Sequence, residues 1–440
     1  MQRVTGTYLL ECLLEQARKS SFCALLLSND FQDPYGRWEW LAGFDVLQET
    51  GELSQVGLLD EDPWFGYISY DYKNVVEPIL LSGHPSLSQF AITKFVKPQV
   101  WVGLGRDGQL KGNAAGMALW KSLEQANDAS ATTSDARLSL DKIQWQSLTG
   151  RDEYLAQIAQ IKQHIVEGDF YEMNHCIAYT AEAEIDPYAT FLALNRKAPA
   201  PFASFFKDQD QYLLCASPER YLSVRGQTII SQPIKGTRKR CRLSLGDDAI
   251  KAPLDSEAQA LKQAQEQAQA QADAEAVMTL QQSTKDRAEN IMIVDLVRND
   301  LSRVCQAGTV QVPELCGVYT YSHVHQMIST VTGTLMAGVG VSDIIHATFP
   351  MGSMTGAPKI AVMQHSEQLE NFSRGIYSGA VGYVWHGDMD FNVVIRSLMY
   401  DGNARRLSYA VGGAITIDSD AEEEYQECCD KAATVLSIFD

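Results

Sequence analysis

The sequence lacks the long apolar segments and export signals that mark membrane and secreted proteins. Of its 440 residues, 45% are hydrophobic, yet they form no apolar run of about 18 residues, the length that a membrane-spanning helix needs. The first residues, MQRVTGTYLLECLLEQARKSSF, contain acidic residues and lack an apolar core followed by a small-residue cleavage site. We therefore expect a globular protein of the cytoplasm that does not act at a membrane.

Positive charge is scarce, and the cysteines form no spacing framework. Lys and Arg number 36 against 55 Asp and Glu, which gives a net charge of -19 and disfavours nucleic acid and anionic membranes as partners. An anionic small substrate would then need a local group of cations or a metal ion. The nine cysteines fit reduced thiols in a cytosolic protein.

Changes in composition divide the chain into three predicted parts. Residues 1–112 alternate short apolar runs with turn signals, which predicts strands, and residues 113–147 are small and polar, which is typical of a connection. Residues 148–440 predict further strands and helices, the first helix ending at Gly168. Within them, residues 257–282 are rich in Ala and Gln. This segment is predicted to be a solvated helix or a tolerated insertion, not a core element.

The stretch ISQPIKGTRKR places Lys235 between an Ile and a Gly. It lacks the glycine spacing of a P-loop, so phosphate binding is a weak alternative, and an exposed lysine is the more common situation. To act as a nucleophile the amine must be neutral, and lowering its pKa from about 10.4 to near 7 or 8 costs roughly 3 to 4 kcal/mol. We expect repulsion from Arg238, Lys239 and Arg240 to contribute to that shift.

Five acidic residues are candidates for catalysis or metal binding. Glu219, in ASPER, precedes the lysine on a predicted neighbouring strand, and a carboxylic acid beside an amine can serve as a proton donor. Asp286 with Glu289, and Glu424 with Glu427, are spaced so that each pair shares one face of a predicted helix and offers oxygen ligands to Mg²⁺. A solvated surface is the alternative for all five, since the chain holds 55 acidic residues.

A series of motifs connects these residues. From about residue 150 to 440 the chain contains, in order, SPER, PIKGTR, KDRAENIMIVDLVRNDLSRV, VPEL, FPMGSMTGAPK, SGAVGYV, MDFNVVIRSL and EYQECCDKA. This series resembles the chorismate-utilising enzymes, specifically the large subunits of aminodeoxychorismate synthases. The resemblance implies an α+β fold, an α/β sandwich in which two large antiparallel sheets pack face to face, with helices outside and the active site between the sheets.

The resemblance also implies an activity. Anthranilate-forming relatives carry PIAGT where this chain has PIKGT, so Lys235 is expected to be the covalent nucleophile that adds at C2 of chorismate. Glu219 is then the general acid for the departing C4 hydroxyl, and ammonia attacks C4 to give 4-amino-4-deoxychorismate, a precursor of 4-aminobenzoate and folate. The chain has no Cys-centred glutaminase motif, so a separate glutaminase subunit is the expected partner that supplies ammonia.

The remaining site residues come from the same resemblance. Mg²⁺ is expected on Glu289 and Glu427, with Asp286 and Glu424 as supporting carboxylates. The resemblance further implies that Arg396 and Tyr383 bind the enolpyruvyl carboxylate and that Gly412 and Gly413 offer backbone amides. Lys431 is expected to be a cation near the ring carboxylate, and Thr237 is also expected in the substrate site. The N-terminal lobe resembles the tryptophan-binding region of relatives, and Ser28 is its candidate contact.

Three residues depart from the pattern of these relatives. Glu172 stands where related subunits tend to have Gln, Gln326 stands where anthranilate synthases have His, and Ala414 replaces a glycine. None of them alters the pair formed by Lys235 and Glu219. Two alternatives stay open, an anthranilate synthase large subunit, which Lys235 disfavours, and a non-catalytic subunit that binds an amino acid.

Overall fold

The structure describes six separate stretches of the chain. The first six residues, residues 130–139 of the predicted connection and the side chain of Lys239 lie outside the described part. Within that part, no helix is both long and apolar enough to cross a membrane. The computed structural model describes residues 7–57, 59–80, 83–129, 140–240, 256–321 and 324–440.

Across the described residues the chain forms nineteen strands and eleven helices. The strands are β1 (Phe22–Leu27), β2 (Trp38–Thr50), β3 (Trp64–Ile68), β4 (Thr93–Gly105), β5 (Leu110–Gly112), β6 (Gln146–Ser147), β7 (Glu172–Glu182), β8 (Phe202–Asp208), β9 (Gln211–Ser217), β10 (Arg220–Arg225), β11 (Thr228–Gln232), β12 (Ile234–Lys239), β13 (Gln311–Thr320), β14 (Val324–Thr334), β15 (Gly356–Ala357), β16 (Ala380–Trp385), β17 (Asp388–Val393), β18 (Ser397–Asp401) and β19 (Arg406–Ile415). The helices are α1 (Thr7–Lys19), α2 (Lys73–Val76), α3 (Ala114–Ala129), α4 (Arg151–Glu167), α5 (Pro187–Lys197), α6 (Ser256–Gln282), α7 (Thr284–Ser302), α8 (Val341–Thr348), α9 (Gly352–Thr355), α10 (Lys359–Leu369) and α11 (Ala421–Leu436).

Every ladder between these strands is antiparallel, which confirms the predicted α+β class. The central path of paired strands runs β14, β11, β10, β17, β16, β3, β4, β2, β1, β8, β9, β18, β19, β7. The long strands β2 and β4 join the two halves of this path, so the two expected sheets are connected edge to edge. Strands β1 and β3 pair with β8 and β16, and the division of the chain at residue 112 remains a prediction.

Successive side chains along a strand belong to two different hydrophobic layers. In β1, Phe22 contributes to the layer between the two halves, where its ring packs 5.2 Å from Phe206, and Phe206 in turn packs 5.3 Å from Tyr67 of β3. The next residue, Cys23, contributes to the outer layer, which α1, α4, α5 and α11 cover. Because successive side chains point to opposite faces of a strand, one apolar run supplies both layers and the halves pack face to face.

The Ala/Gln-rich segment forms helix α6, and the C-terminal part of this helix packs against the rest of the protein. Leu280 is fully buried against Cys316 and Met327. Asp273 accepts hydrogen bonds from Arg240 at the end of β12, at 2.6 and 2.9 Å. The prediction that this segment has no core role is therefore wrong for its last turns, because one apolar and one acidic residue anchor them.

Candidate active site

A cavity of about 280 Å³ collects nearly all the predicted site residues. It lies among β12, the β9–β10 connection, α7, β19 and α11. The only predicted site residues outside its lining, within the described part of the chain, are Tyr383 and Ser28. The predicted residues that line it are Glu219, Lys235, Thr237, Asp286, Glu289, Arg396, Gly412, Gly413, Glu424, Glu427 and Lys431.

The lysine lies on an irregular part of β12. The pairing of β12 with β14 shifts register between Ile234 and Thr237, and Gly236 has a φ of +88°, which favours glycine. A Cβ on Gly236 would lie 3.0 Å from the side chain of Asp286. The glycine after Lys235 is therefore needed both for the local backbone conformation and for the close approach of α7.

Lys235 is held by a buried carboxylate. Its Nζ donates to Oε1 of Glu172 at 2.6 Å; the lysine is 8% exposed and Glu172 is fully buried. Burial alone lowers the pKa of Lys235, but the carboxylates of Glu172, Glu289 and Glu219 outweigh it, so the pKa is raised. The ligand-free molecule therefore holds Lys235 as an ammonium ion.

The expected lowering of that pKa by neighbouring cations is wrong. Arg238 donates to Asp286 at 2.6 Å, and Arg240 is bonded to Asp273. Both guanidinium groups are therefore neutralised by acidic partners. Carboxylates distant in sequence control the charge of Lys235, whereas its sequence neighbours do not.

Glu172 is positioned by the TGAPK motif. Strand β15, in that motif, pairs Ala357 with Glu172 in β7. Gly356 has a φ of +135°, and a Cβ there would lie 2.1 Å from the Glu172 carbonyl oxygen. Within the described residues, Glu172 Oε2 is buried and has no hydrogen-bond partner. Sequence reasoning noted Glu172 only as a departure from relatives, and that departure was the available signal for its place beside Lys235.

Glu219 has the electrostatic character of an acid that can give up a proton near neutral pH. It follows β9 directly, where its N–H donates to Ser217 Oγ at 3.2 Å and its carbonyl accepts from Val393 N–H at 3.0 Å. It is 4% exposed. Burial raises its pKa to about 7, against the opposing effects of a hydrogen bond with Ser353 and the charge of Lys235.

The four remaining acids come from two helix N-termini. Helix α7 begins after Ser283, whose hydroxyl accepts from Asp286 N–H at 3.2 Å, and this start places Asp286 and Glu289 in the first turns. Helix α11 begins after Asp420 and presents Glu424 and Glu427. The predicted pairs therefore face one cavity from two helices.

Three of these carboxylates have cationic or hydroxyl partners, and the fourth does not. Lys431 Nζ lies 2.7 Å from Glu427, and the charge of Lys431 outweighs burial and lowers the pKa of Glu427. Glu424 accepts from Ser419 Oγ at 2.8 Å. Glu289 Oε1 is buried and finds no hydrogen-bond partner in the described part of the chain, and burial raises the pKa of Glu289 to about 7.

This donor set fits a hard cation. An orphaned buried carboxylate oxygen beside three further carboxylates is chemistry that Mg²⁺ accepts, with water completing its coordination. Among the described residues, no three of the four carboxylates bring oxygen atoms within 4.8 Å of one another. The two pairs therefore leave room between them for a bridging ligand.

Arg396 is a cation of the cavity that has no ion-pair partner among the described residues. It has a φ of +51° and lines the cavity next to Tyr377 and Tyr409. Burial lowers its pKa, and the described residues place no carboxylate within 4.0 Å of its guanidinium, since its main interaction is with Tyr409. An ion pair at the surface is the ordinary situation for an arginine, and Arg396 forms none with the described residues. An unpaired buried guanidinium favours an anionic ligand.

The structure places Tyr383 outside this cavity, and its role in substrate binding stays a prediction. Tyr383 lies on β16 opposite Phe65 of β3, and it lines a second cavity of about 60 Å³ together with Ser28. Tyr377, in the same GIYSGAVGYV stretch, lines the first cavity instead. The motif contains two tyrosines, and the structure shows that Tyr377 is the one that lines this cavity. Ser28 donates to Glu39 at 3.0 Å, and its role in tryptophan binding stays a prediction.

The two predicted glycines lie in β19 and leave space for neighbouring groups. A Cβ on Gly412 would lie 2.5 Å from the carbonyl oxygen of His175, and one on Gly413 would lie 3.1 Å from Glu424. The carbonyl of Gly412 accepts from Lys431 Nζ at 3.0 Å. Gln326 also lines the cavity, with its Oε1 buried and unpartnered.

Curated relatives match about two thirds of the chain. Aminodeoxychorismate synthase of Streptomyces griseus is 42% identical over 294 residues, which are 66% of this chain and 36% of the relative. Aminodeoxychorismate synthase component 1 of Klebsiella aerogenes is 37% identical over 66% of this chain and 59% of the relative. The chain thus matches less than two thirds of the length of each of these relatives.

The fold has a solved counterpart. The crystal structure of anthranilate synthase component I from Streptococcus pneumoniae superposes with a TM-score of 0.71 at 22% identity, covering 92% of this chain and 93% of that one. It therefore supports the shared fold alone. Residues 17–437 match the family model described as chorismate binding enzyme. The chain belongs to the family of chorismate binding enzymes.

Proposed function

We propose that this chain catalyses the amination of chorismate at C4 with ammonia, forming 4-amino-4-deoxychorismate and water. The observation that carries the proposal is the presence of Lys235, Glu219 and the unpaired Arg396 in one cavity. Arg396 suits one carboxylate of a dianionic substrate, and Lys235 and Glu219 are the amine and the acid that a covalent displacement needs. The names of the curated relatives agree with this activity.

The first displacement forms a bond between Lys235 Nζ and C2 of chorismate. Lys235 first gives a proton to Glu172, the carboxylate 2.6 Å away, and the neutral amine attacks C2. Both double bonds of the ring diene shift by one position, the C4–O bond breaks, and Glu219 donates its proton so that the hydroxyl leaves as water, because hydroxide is a poor leaving group near neutral pH.

The second displacement reverses the flow of electrons. Ammonia attacks C4, the C2–Nζ bond breaks, and its electron pair returns to Lys235. The new ammonium at C4 gives a proton to Glu219, and Lys235 recovers its proton from Glu172, so every group returns to its starting protonation state. The net change is chorismate plus ammonia to 4-amino-4-deoxychorismate plus water.

Glu289 and Glu427 would hold Mg²⁺, with Asp286 and Glu424 as supporting carboxylates. When bound, the ion would neutralise the ring carboxylate of the substrate and withdraw electron density from the ring. Lys431, paired with Glu427, lies where a second cation can approach that carboxylate. A separate glutaminase subunit would supply ammonia in the cytoplasm, for 4-aminobenzoate and folate biosynthesis.

The product distinguishes this proposal from its alternatives. The purified chain, with Mg²⁺, chorismate and a high concentration of ammonium, is expected to form 4-amino-4-deoxychorismate without a partner. Chromatography with mass detection identifies the product. Formation of anthranilate and pyruvate would assign an anthranilate synthase, and the absence of any product from a folded chain would favour a non-catalytic subunit.

A further inference from the structure

A second group of potential metal ligands lies outside the cavity described above. His164 of α4, Asp169 and His365 of α10 each present a ligand atom, and these atoms lie within 4.8 Å of one another. His164 Nδ1 is 2.9 Å and His365 Nε2 is 3.5 Å from Asp169 Oδ2. Glu167 Oε2 lies 3.6 Å from His164 Nδ1. Two imidazoles and one carboxylate therefore lie close together, and a second carboxylate lies beside His164.

The end of α4 explains why this group forms. Gly168 takes the left-handed conformation at the helix C-terminus, with a φ of +89°. The N–H groups of both Gly168 and Asp169 donate to the carbonyl of His164, at 3.1 and 3.0 Å. This turn folds Asp169 back over the last helical turn and onto the ring of His164.

The two rings are held in place by packing. Their centroids lie 4.1 Å apart, and the ring of Phe170 contacts both, at 6.2 Å from His164 and 5.1 Å from His365. Nδ1 of His365 is enclosed and has no hydrogen-bond partner among the described residues, and Nε2 is the nitrogen that faces Asp169.

We propose that His164, Asp169 and His365 bind a zinc ion, with Glu167 available as the fourth ligand. Zinc bonds to imidazole nitrogen and carboxylate oxygen are about 2.0 to 2.2 Å, so ligand atoms in a tetrahedral site are separated by about 3.3 Å. The separations here, 2.9, 3.5 and 3.6 Å, bracket that value. Imidazole ligands select zinc over Mg²⁺, which prefers oxygen.

A zinc ion here would connect two segments that lead to the cavity. Asp169 continues through Tyr171, whose N–H donates to Ala357 at 2.8 Å, to Glu172. His365 lies on α10, which begins just after β15. The ion would therefore tie together the two segments that pair at Glu172, and its expected effect is on stability.

Zinc binding is tested with the full chain in excess Mg²⁺, which is added to fill the proposed carboxylate site. A chromophoric chelator competes with the chain for zinc and reports the affinity. One equivalent of zinc should bind and raise the Tm. His164→Ala and His365→Ala should each weaken binding at least tenfold and remove the Tm increase. His386→Ala, which changes an exposed histidine far from the group in sequence, should leave both unchanged.

A second readout avoids the variants. Zinc should protect His164 and His365 of the unmodified chain from diethylpyrocarbonate, as read by peptide mass spectrometry. Absence of one-equivalent binding, equal affinity in a His164→Ala/His365→Ala double variant, or full modification of both histidines in saturating zinc would each overturn the proposal.

Discussion

Two buried lysines show how differently the same side chain is used in this molecule. Lys235 faces Glu172 at 2.6 Å with two more carboxylates nearby, and its pKa is raised. Lys359 Nζ lies 2.5 Å from Asp300. Burial, with Arg303 as a further contribution, outweighs the effect of Asp300 and lowers the pKa of Lys359. The lysine with the lowered pKa is therefore not the one in the cavity.

The surroundings of the two amines explain their different roles. Lys359 Nζ also donates to the carbonyl of Thr348 at 3.0 Å, so two fixed acceptors hold it in packed structure. Lys235 has one fixed acceptor and an adjoining cavity that can admit a ligand. A low pKa is thus insufficient evidence for a nucleophile, and space beside the amine and a proton acceptor within hydrogen-bond distance are better evidence.

The largest effect is expected for Lys235→Ala. Without the amine the covalent route is lost, and formation of 4-amino-4-deoxychorismate from ammonia should fall by about ten-thousandfold or more, the upper end of the usual contribution of a single acid or base. Steady-state assays with product identification measure the change. Lys162→Ala, a change at an α4 lysine that does not line the cavity, serves as the control. Near-normal synthesis in Lys235→Ala would reduce Lys235 to an electrostatic contact.

The next effect concerns Glu219. Because its pKa is about 7, the protonated form that acts as an acid is present below that pH and is lost as the pH rises. The value of kcat/KM should therefore decline above about pH 7, and Glu219→Gln should lower it by about a hundredfold or more. A pH profile of the unmodified chain that stays flat from pH 6 to 9 would remove Glu219 from this role.

The stability contrast between the two lysines is expected to be intermediate in size. Lys359→Ala leaves Asp300 buried without its cation, which costs about 3 to 5 kcal/mol of unfolding free energy. Lys235→Ala should cost less, because water entering the cavity can solvate Glu172. Urea unfolding of both variants measures the difference. An equal or greater loss in Lys235→Ala would mean that Lys235 is mainly a structural ion-pair partner.

The smallest effect is a change in titration. Glu172→Gln removes the carboxylate that does most to raise the pKa of Lys235, so that pKa should fall and the amine should become neutral at lower pH. Acetic anhydride labelling of Lys235 in the ligand-free chain, followed by mass spectrometry across pH, gives the midpoint. Glu153→Gln, at an exposed position on α4, is the matched control, and an unchanged midpoint in Glu172→Gln would contradict the assignment.

These two lysines also show what the sequence can and cannot predict. The motifs located Lys235, Glu219 and the acid pairs because each is a local pattern on one strand or helix. The charge state of Lys235 escaped prediction, because Glu172 reaches it only through the β15–β7 pairing. The position of Tyr383 outside the cavity escaped prediction for a similar reason, since it depends on the pairing of β16 with β3. In α6, Leu280 is one apolar residue in a polar helix, and composition alone gave no sign of its burial.

The most direct test of the central claim is intact-protein mass spectrometry of the chain with Mg²⁺ and chorismate in the absence of ammonia. Lys235 should then accumulate a covalent adduct with the mass of chorismate minus water, and added ammonium should discharge it as 4-amino-4-deoxychorismate. Peptide mapping should locate the adduct on Lys235. An unmodified protein mass under these conditions, from a chain that still forms the product when ammonium is supplied, would contradict the account.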